Sequence, residues 1–168
     1  RERVLRLMET YRGSERALQD SAPLVTTFHA LGVRMLREHH TVFGLPKQFS
    51  IYDRSDSTTA MKKALERAGY DQKQFEPRRM LSLISRAKGD GLTATEYAGS
   101  ARSYPERVAS EVWVHYETIL KEEHALDFDD LLSKTLSMLK SNPEILRAYQ
   151  QRFQYVHVDE YQDTNKVQ

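Results

Sequence analysis

Near its C-terminus the chain reads Tyr155-Val156-His157-Val158-Asp159-Glu160-Tyr161-Gln162-Asp163-Thr164-Asn165. An apolar, β-prone run stops abruptly in a cluster of carboxylates and amides. Of two adjacent acids, one can hold a hard cation such as Mg²⁺, because hard cations prefer oxygen ligands. The other can then orient a water and take its proton, the division of labour found in nucleoside triphosphate hydrolysis. On that reading Asp159 and Glu160 share the two tasks between them. Gln162 adds a neutral hydrogen-bonding group, and Asp163 a third acid. The plainer alternative is helix capping, for which Asp163-Thr164-Asn165 is well suited. An isolated Asp-Glu pair would favour capping; a β-branched run that ends in DEYQDTN favours the catalytic reading.

Such a pair needs a rigid mount. In open α/β sheets ligands gather beyond the carboxyl ends of the strands, and Phe153 to Val158 reads as a strand delivering the acids to that place. Leu24-Val25-Thr26-Thr27-Phe28 reads as a second buried strand, after Pro23, with His29 to Arg37 continuing in helical register. Helical spacing of Val4, Leu5, Met8 and Tyr11 predicts an opening helix that stops at Gly13. Phe49-Ser50-Ile51-Tyr52-Asp53 is extended. Helices are expected over about 57–68, from Pro77 to Gly89, briefly after the capping box Thr93-Ala94-Thr95-Glu96, and from about Pro105 to Glu123. Two more follow, one capped by Asp127 with Phe128, Leu131 and Leu132 packed inward, the other opened by Asn142-Pro143. The chain is thus mainly α. Buried parallel strands require partners, and two strands about 125 residues apart make no sheet alone, so the remaining strands are expected outside this chain.

Composition narrows the classes. A chain of 168 residues suits one domain, and its net charge of +1 gives no blanket basic coat. Any nucleic-acid contact must be local, and Arg78, Arg79, Arg86, Lys88 and Arg102 form one such basic stretch. Without cysteine there is neither disulfide nor thiolate metal site, and the six histidines show no zinc spacing. No apolar run reaches the roughly 18 residues of a membrane span, and the charged opening is unlike a secretory signal, which suits a soluble, cytoplasmic protein. The first residue is Arg1, within a helical pattern already under way, so the chain is expected to be a piece of a longer one. A metal-dependent nuclease using Asp127, Asp129, Asp130, Asp159 and Glu160 is a weaker alternative, because no Glu-x-Lys follows the acidic pair. A stand-alone helical DNA-binding or interaction module is another.

The motif DEYQDTN closely resembles the Walker B motif of the UvrD, PcrA and Rep group of superfamily 1 DNA helicases. Thr26-Thr27-Phe28-His29 resembles that group's DNA-contacting TFH motif, FSIYD its FxIYD segment, and Leu126-Asp127-Phe128-Asp129-Asp130-Leu131 its LDFDDL signature. The four occur in the group's order and at its spacing. The resemblance implies pieces of a RecA-like P-loop NTPase motor domain at 1–44 and 126–168, flanking a helical 1B-like insertion at 45–125. It implies Mg²⁺ on Asp159, catalysis by Glu160, nucleotide-state contacts at Gln162 and Asp163, and single-stranded DNA at Thr27, Phe28 and His29. An aromatic face can stack on a base, and amides at a helix start can meet phosphate. ATP and Mg²⁺ are the implied cofactors. Single-stranded DNA, its junctions with duplex and the rest of the helicase are the implied partners, with 3′–5′ translocation in repair or replication. The phosphate-cradling GxxxxGK[ST] loop is absent from the 168 residues, so the piece alone is expected to be inactive.

Overall fold

Short-range capping chemistry decides where most of the helices begin. In the computed structural model, which describes residues 23–168, α1 (Phe28–Glu38) starts where the Thr27 hydroxyl accepts a hydrogen bond from the Ala30 amide at 3.2 Å. Asp53 caps α2 (Arg54–Arg67) in a reciprocal box with Asp56, and Pro77 opens α3 (Pro77–Gly89). Thr93 with Glu96 starts α4 (Ala94–Ser100), and Ser103 with Glu106 starts α5 (Tyr104–Glu122). Asp127 with Asp130 starts α6 (Phe128–Ser141), and Pro143 opens α7 (Pro143–Arg152). A side-chain oxygen satisfying an otherwise unpaired first-turn amide stabilises a helix start by about 1 kcal/mol. The expected helix over Val4 to Tyr11 lies outside the described residues. Among the described residues, no helix is long and apolar enough to cross a membrane.

The chain is mainly helical, as expected, and the extended Phe49–Asp53 stretch holds a strand, but the two segments read as buried strands form none. The sheet among the described residues has two parallel strands, β1 (Ser50–Tyr52) and β2 (Ala125–Asp127), in the register Ser50 to Ala125, Ile51 to Leu126 and Tyr52 to Asp127. Leu24 to Thr27 forms no strand, and Phe28 is already the first residue of α1. Phe153 to Val158 forms none either, and Tyr155 is 84% exposed. A ladder needs a neighbour on which to form. Here β1 and β2 satisfy each other, and both predicted segments are left as irregular chain.

Helix α5 organises the larger core. Val108, Val112, Tyr116, Ile119 and Leu120, expected inside from their spacing, are all buried with Trp113. They pack with Met61 and Leu65 of α2 and with Met80 and Ile84 of α3. A second cluster joins Leu36 of α1, Leu45, Phe49, Leu126 and Leu131. A third joins Met35, Met138 of α6 and Tyr149 of α7. Leu45 and Phe49 therefore pack with the flanking helices, and the helical block has its own core only beyond β1.

Helices α1 and α6 approach at Gly32. A Cβ built there would lie 2.4 Å from the Leu131 carbonyl oxygen and 3.2 Å from the Thr135 hydroxyl. Backbone cannot swing aside as a side chain can, so the helices would have to separate. Gly32→Ala is expected to lower stability by about 1–3 kcal/mol, the usual range for overpacking, despite alanine's better helix propensity. Urea unfolding monitored by circular dichroism measures this; a variant as stable as the parent would show that the helices part freely.

Candidate nucleotide and nucleic-acid sites

The acidic turn is open to solvent. Asp159, Glu160, Gln162 and Asp163 are all exposed, around a short 3₁₀ turn from Tyr161 to Asp163. The Glu160 amide donates to Asp159 Oδ1 at 3.0 Å, and the Gln162 amide group donates to the Glu160 carboxylate. Glu160 adopts a left-handed backbone, φ 48° and ψ 45°, which costs a non-glycine residue about 1–2 kcal/mol. These local hydrogen bonds offset part of that cost. Asp159 and Glu160 present carboxylate oxygens to solvent at this turn, the hard donors that suit Mg²⁺, while no group of three or more acidic or histidine side chains gathers as a metal site among the described residues. The chain beyond it runs back to the end of α3: a Cβ at Gly89 would stand 3.6 Å from Asn165 Nδ2, and one at Gly91 3.7 Å from Val167 Cγ2.

The TFH residues occupy the start of α1. The Thr27 hydroxyl is committed to capping, while Phe28 and His29 are half-buried. The His29 ring packs on Phe128, with centroids 5.2 Å apart and the planes inclined at 48°. Phe128 was expected to face inward, yet it is 55% exposed. It is the first residue of α6, where the side chain projects from the helix end rather than from its buried stripe. The two rings make a continuous aromatic face that joins the starts of α1 and α6. Sequence reasoning missed Phe128 as a surface group; its place immediately after the capping Asp127 was the available signal.

Beside that face lies a cleft of about 340 Å³, beyond the carboxyl ends of β1 and β2. Tyr52, Asp53 and Ser57 line one wall, Leu81 and Ile84 of α3 the floor, and Asp127 and Phe128 the other wall. The Tyr52 hydroxyl donates to Glu123, whose carboxylate, with some burial, pushes the phenol up to about 12. Tyr52 is therefore neutral at physiological pH.

Under the cleft sits a buried ionic network. Lys88, read above as part of a basic surface stretch, is 3% exposed. Its ammonium donates to Asp127 Oδ2 at 2.9 Å and to Asp130 Oδ1 at 2.8 Å. The Tyr116 hydroxyl donates to the same Asp127 oxygen at 3.1 Å. Burial alone would drive the lysine neutral, but the two carboxylates outweigh it and raise its pKa. Burial likewise opposes ionisation of Asp130, yet the Lys88 charge, helped by Lys134, holds that carboxyl below its usual value. Burial, then the Asp130 charge, push Asp127 up against the pull of Lys88. Asp127 thus caps α6 as expected, and Arg78, Arg79, Arg86 and Arg102 stay exposed.

The model of the UvrD/REP helicase N-terminal domain matches residues 1–168. The chain belongs to that family. Among its curated relatives is the ATP-dependent DNA helicase PcrA of Leuconostoc citreum, 44% identical over 144 residues, which are 86% of this chain and 19% of that protein. The protein of the same name from Bacillus subtilis strain 168 is 40% identical over 144 residues, 86% of this chain and 20% of its own. That of Staphylococcus aureus strain Mu50 is 37% identical over 156 residues, 92% and 21% respectively. The chain thus spans about a fifth of the length of these relatives. As a UvrD/REP N-terminal segment, it carries its acidic residues at a short turn and its aromatic face at two helix starts.

Proposed function

We propose that this chain is part of the motor of an ATP-dependent DNA helicase. The family match across the whole chain carries the reading, supported by relatives named as ATP-dependent DNA helicases. On this reading residues 1–44 and 126–168 are portions of the RecA-like motor domain, and 45–125 the helical 1B insertion. Asp159 holds Mg²⁺, which supplies charge neutralisation at the nucleotide phosphates. Glu160 orients the attacking water and accepts its proton, and Gln162 and Asp163 link nucleotide state to DNA grip. The solvent-open turn and its oxygen donors support these roles.

Single-stranded DNA is proposed to lie across the starts of α1 and α6. Thr27 and Phe28 shape that surface, and His29 with Phe128 offers ring faces on which bases stack. Translocation runs 3′ to 5′ towards a junction with duplex, in cytoplasmic repair or replication. The test is ATP hydrolysis by the longer protein carrying this segment. Mg²⁺-dependent turnover stimulated by single-stranded DNA is expected, and turnover indifferent to DNA would reject the motor reading. The 168 residues alone, lacking a phosphate-cradling loop, are expected to hydrolyse no ATP; measurable Mg²⁺-dependent hydrolysis by them would reject the assignment of half a site to this segment.

A further inference from the structure

We propose that Lys88 is a positioning residue for DNA contact, fixing the start of α6, and with it Phe128, to the helical block. The inference rests on the reading of the His29 and Phe128 face as the strand-binding surface. Lys88 stands in the last turn of α3, whose core partners are α2 and α5. The two carboxylates that it binds are the N-cap and third residue of α6. These same groups form the reciprocal cap, in which the Asp130 amide donates to Asp127 Oδ1 at 2.7 Å. Phe128 lies between them in the chain.

Among the described residues the aromatic partner of the Phe128 ring is His29, and the side chain is more than half exposed. Its direction therefore follows from the orientation of the first turn of α6. That turn is held from below by one ammonium that belongs to the helical block, with Tyr116 of α5 donating to the same carboxylate. Two charged hydrogen bonds from one buried donor fix both distance and direction. A displacement of α3 accordingly carries the start of α6 with it, so the placement of the helical block is read out at the DNA surface.

Removing the lysine alone would leave buried Asp127 without a cation and Asp130 with only Lys134 at 3.8 Å, a change large enough to unfold the chain. The informative variant is Lys88→Met/Asp127→Asn/Asp130→Asn, which removes the ionic tie and leaves no buried charge uncompensated. Affinity for a fluorescein-labelled oligothymidylate is measured by anisotropy, without nucleotide, in the longer protein carrying this segment. Circular dichroism confirms the fold of each variant. Phe128→Ala is expected to weaken binding by about tenfold, as loss of one stacked base would. The neutral triple variant is expected to weaken it by about three- to tenfold, and addition of Phe128→Ala to it should weaken it no further than Phe128→Ala alone, since both act through one ring. A merely structural role predicts either no loss of affinity in the folded triple variant or additive losses, and each result would overturn the positioning role. If Phe128→Ala itself leaves affinity unchanged, the strand-binding reading of the face falls and the inference with it.

Discussion

Lys88→Met is expected to destabilise the chain by about 3–5 kcal/mol at neutral pH, the range for breaking one side of a buried ion pair. The cost lies mainly in what is left behind. Methionine nearly matches the volume of the lysine stem, so little packing is lost, but Asp127 and Asp130 remain buried without their counter-ion. The pH dependence identifies the mechanism. In the parent, Lys88 has a raised pKa, so its contribution is complete below the unfolded value of about 10.4 and is lost only as pH rises through the higher folded value. Asp130 is depressed, so its contribution is present above about pH 3.9 and fades as pH falls through its folded value. In the variant only the more distant Lys134 ammonium, 3.8 Å from Asp130, still opposes burial, and both carboxyls move upward, towards protonation in the folded state. The difference between parent and variant should therefore shrink as pH falls from about 7 towards 4, because the folded variant takes up protons before the parent does. Urea unfolding across that range measures it. A difference under about 1 kcal/mol at pH 7, or one that grows with acid, would contradict a buried ionic tie.

The same network shows what the sequence made legible. Asp127 is readable as a cap because its amide partner at Asp130 is three residues away. Thr93 with Glu96 is readable for the same reason and Pro77 for its fixed φ at the first helical position, and the helices they start begin where expected. Lys88 is not readable, because its partners lie 39 and 42 residues along the chain. Within its own neighbourhood it is one more basic residue beside Arg86. The strands divide likewise. Leu24 to Phe28 and Phe153 to Val158 have strong β composition, yet strand pairing depends on a distant neighbour rather than on composition. Ala125-Leu126-Asp127, with no β-branched residue, forms a strand because Ser50 to Tyr52 lies alongside it. The acidic residues stand out by type, but the rigid strand mount expected for them is absent from the described residues. The close approach at Gly32 left no local trace, as the atom it meets belongs to Leu131.

Glu160→Gln, in the longer protein carrying this segment, is expected to reduce DNA-stimulated ATP turnover by about 10²–10⁴-fold, the usual weight of a general base. The amide keeps the size of the side chain and can still accept a hydrogen bond through its oxygen, so the Asp159 to Asp163 turn should persist. It cannot take a proton from water at any working pH. The loss should therefore fall on kcat, while nucleotide affinity, which on the proposed roles rests on Mg²⁺ at Asp159 and on phosphate contacts, stays within about threefold. Asp159→Asn should separate from it: with one fewer charged oxygen for the cation, it should raise the Mg²⁺ concentration needed for half-maximal activity. Steady-state hydrolysis and equilibrium binding of a fluorescent ATP analogue distinguish the two. If Glu160→Gln weakens nucleotide binding as much as turnover, the carboxylate is a ligand rather than the base. If turnover is unchanged, proton transfer lies elsewhere, and the exposed carboxylate of Glu160 is left with only the local role its hydrogen bond from Gln162 already shows: holding a left-handed turn in place.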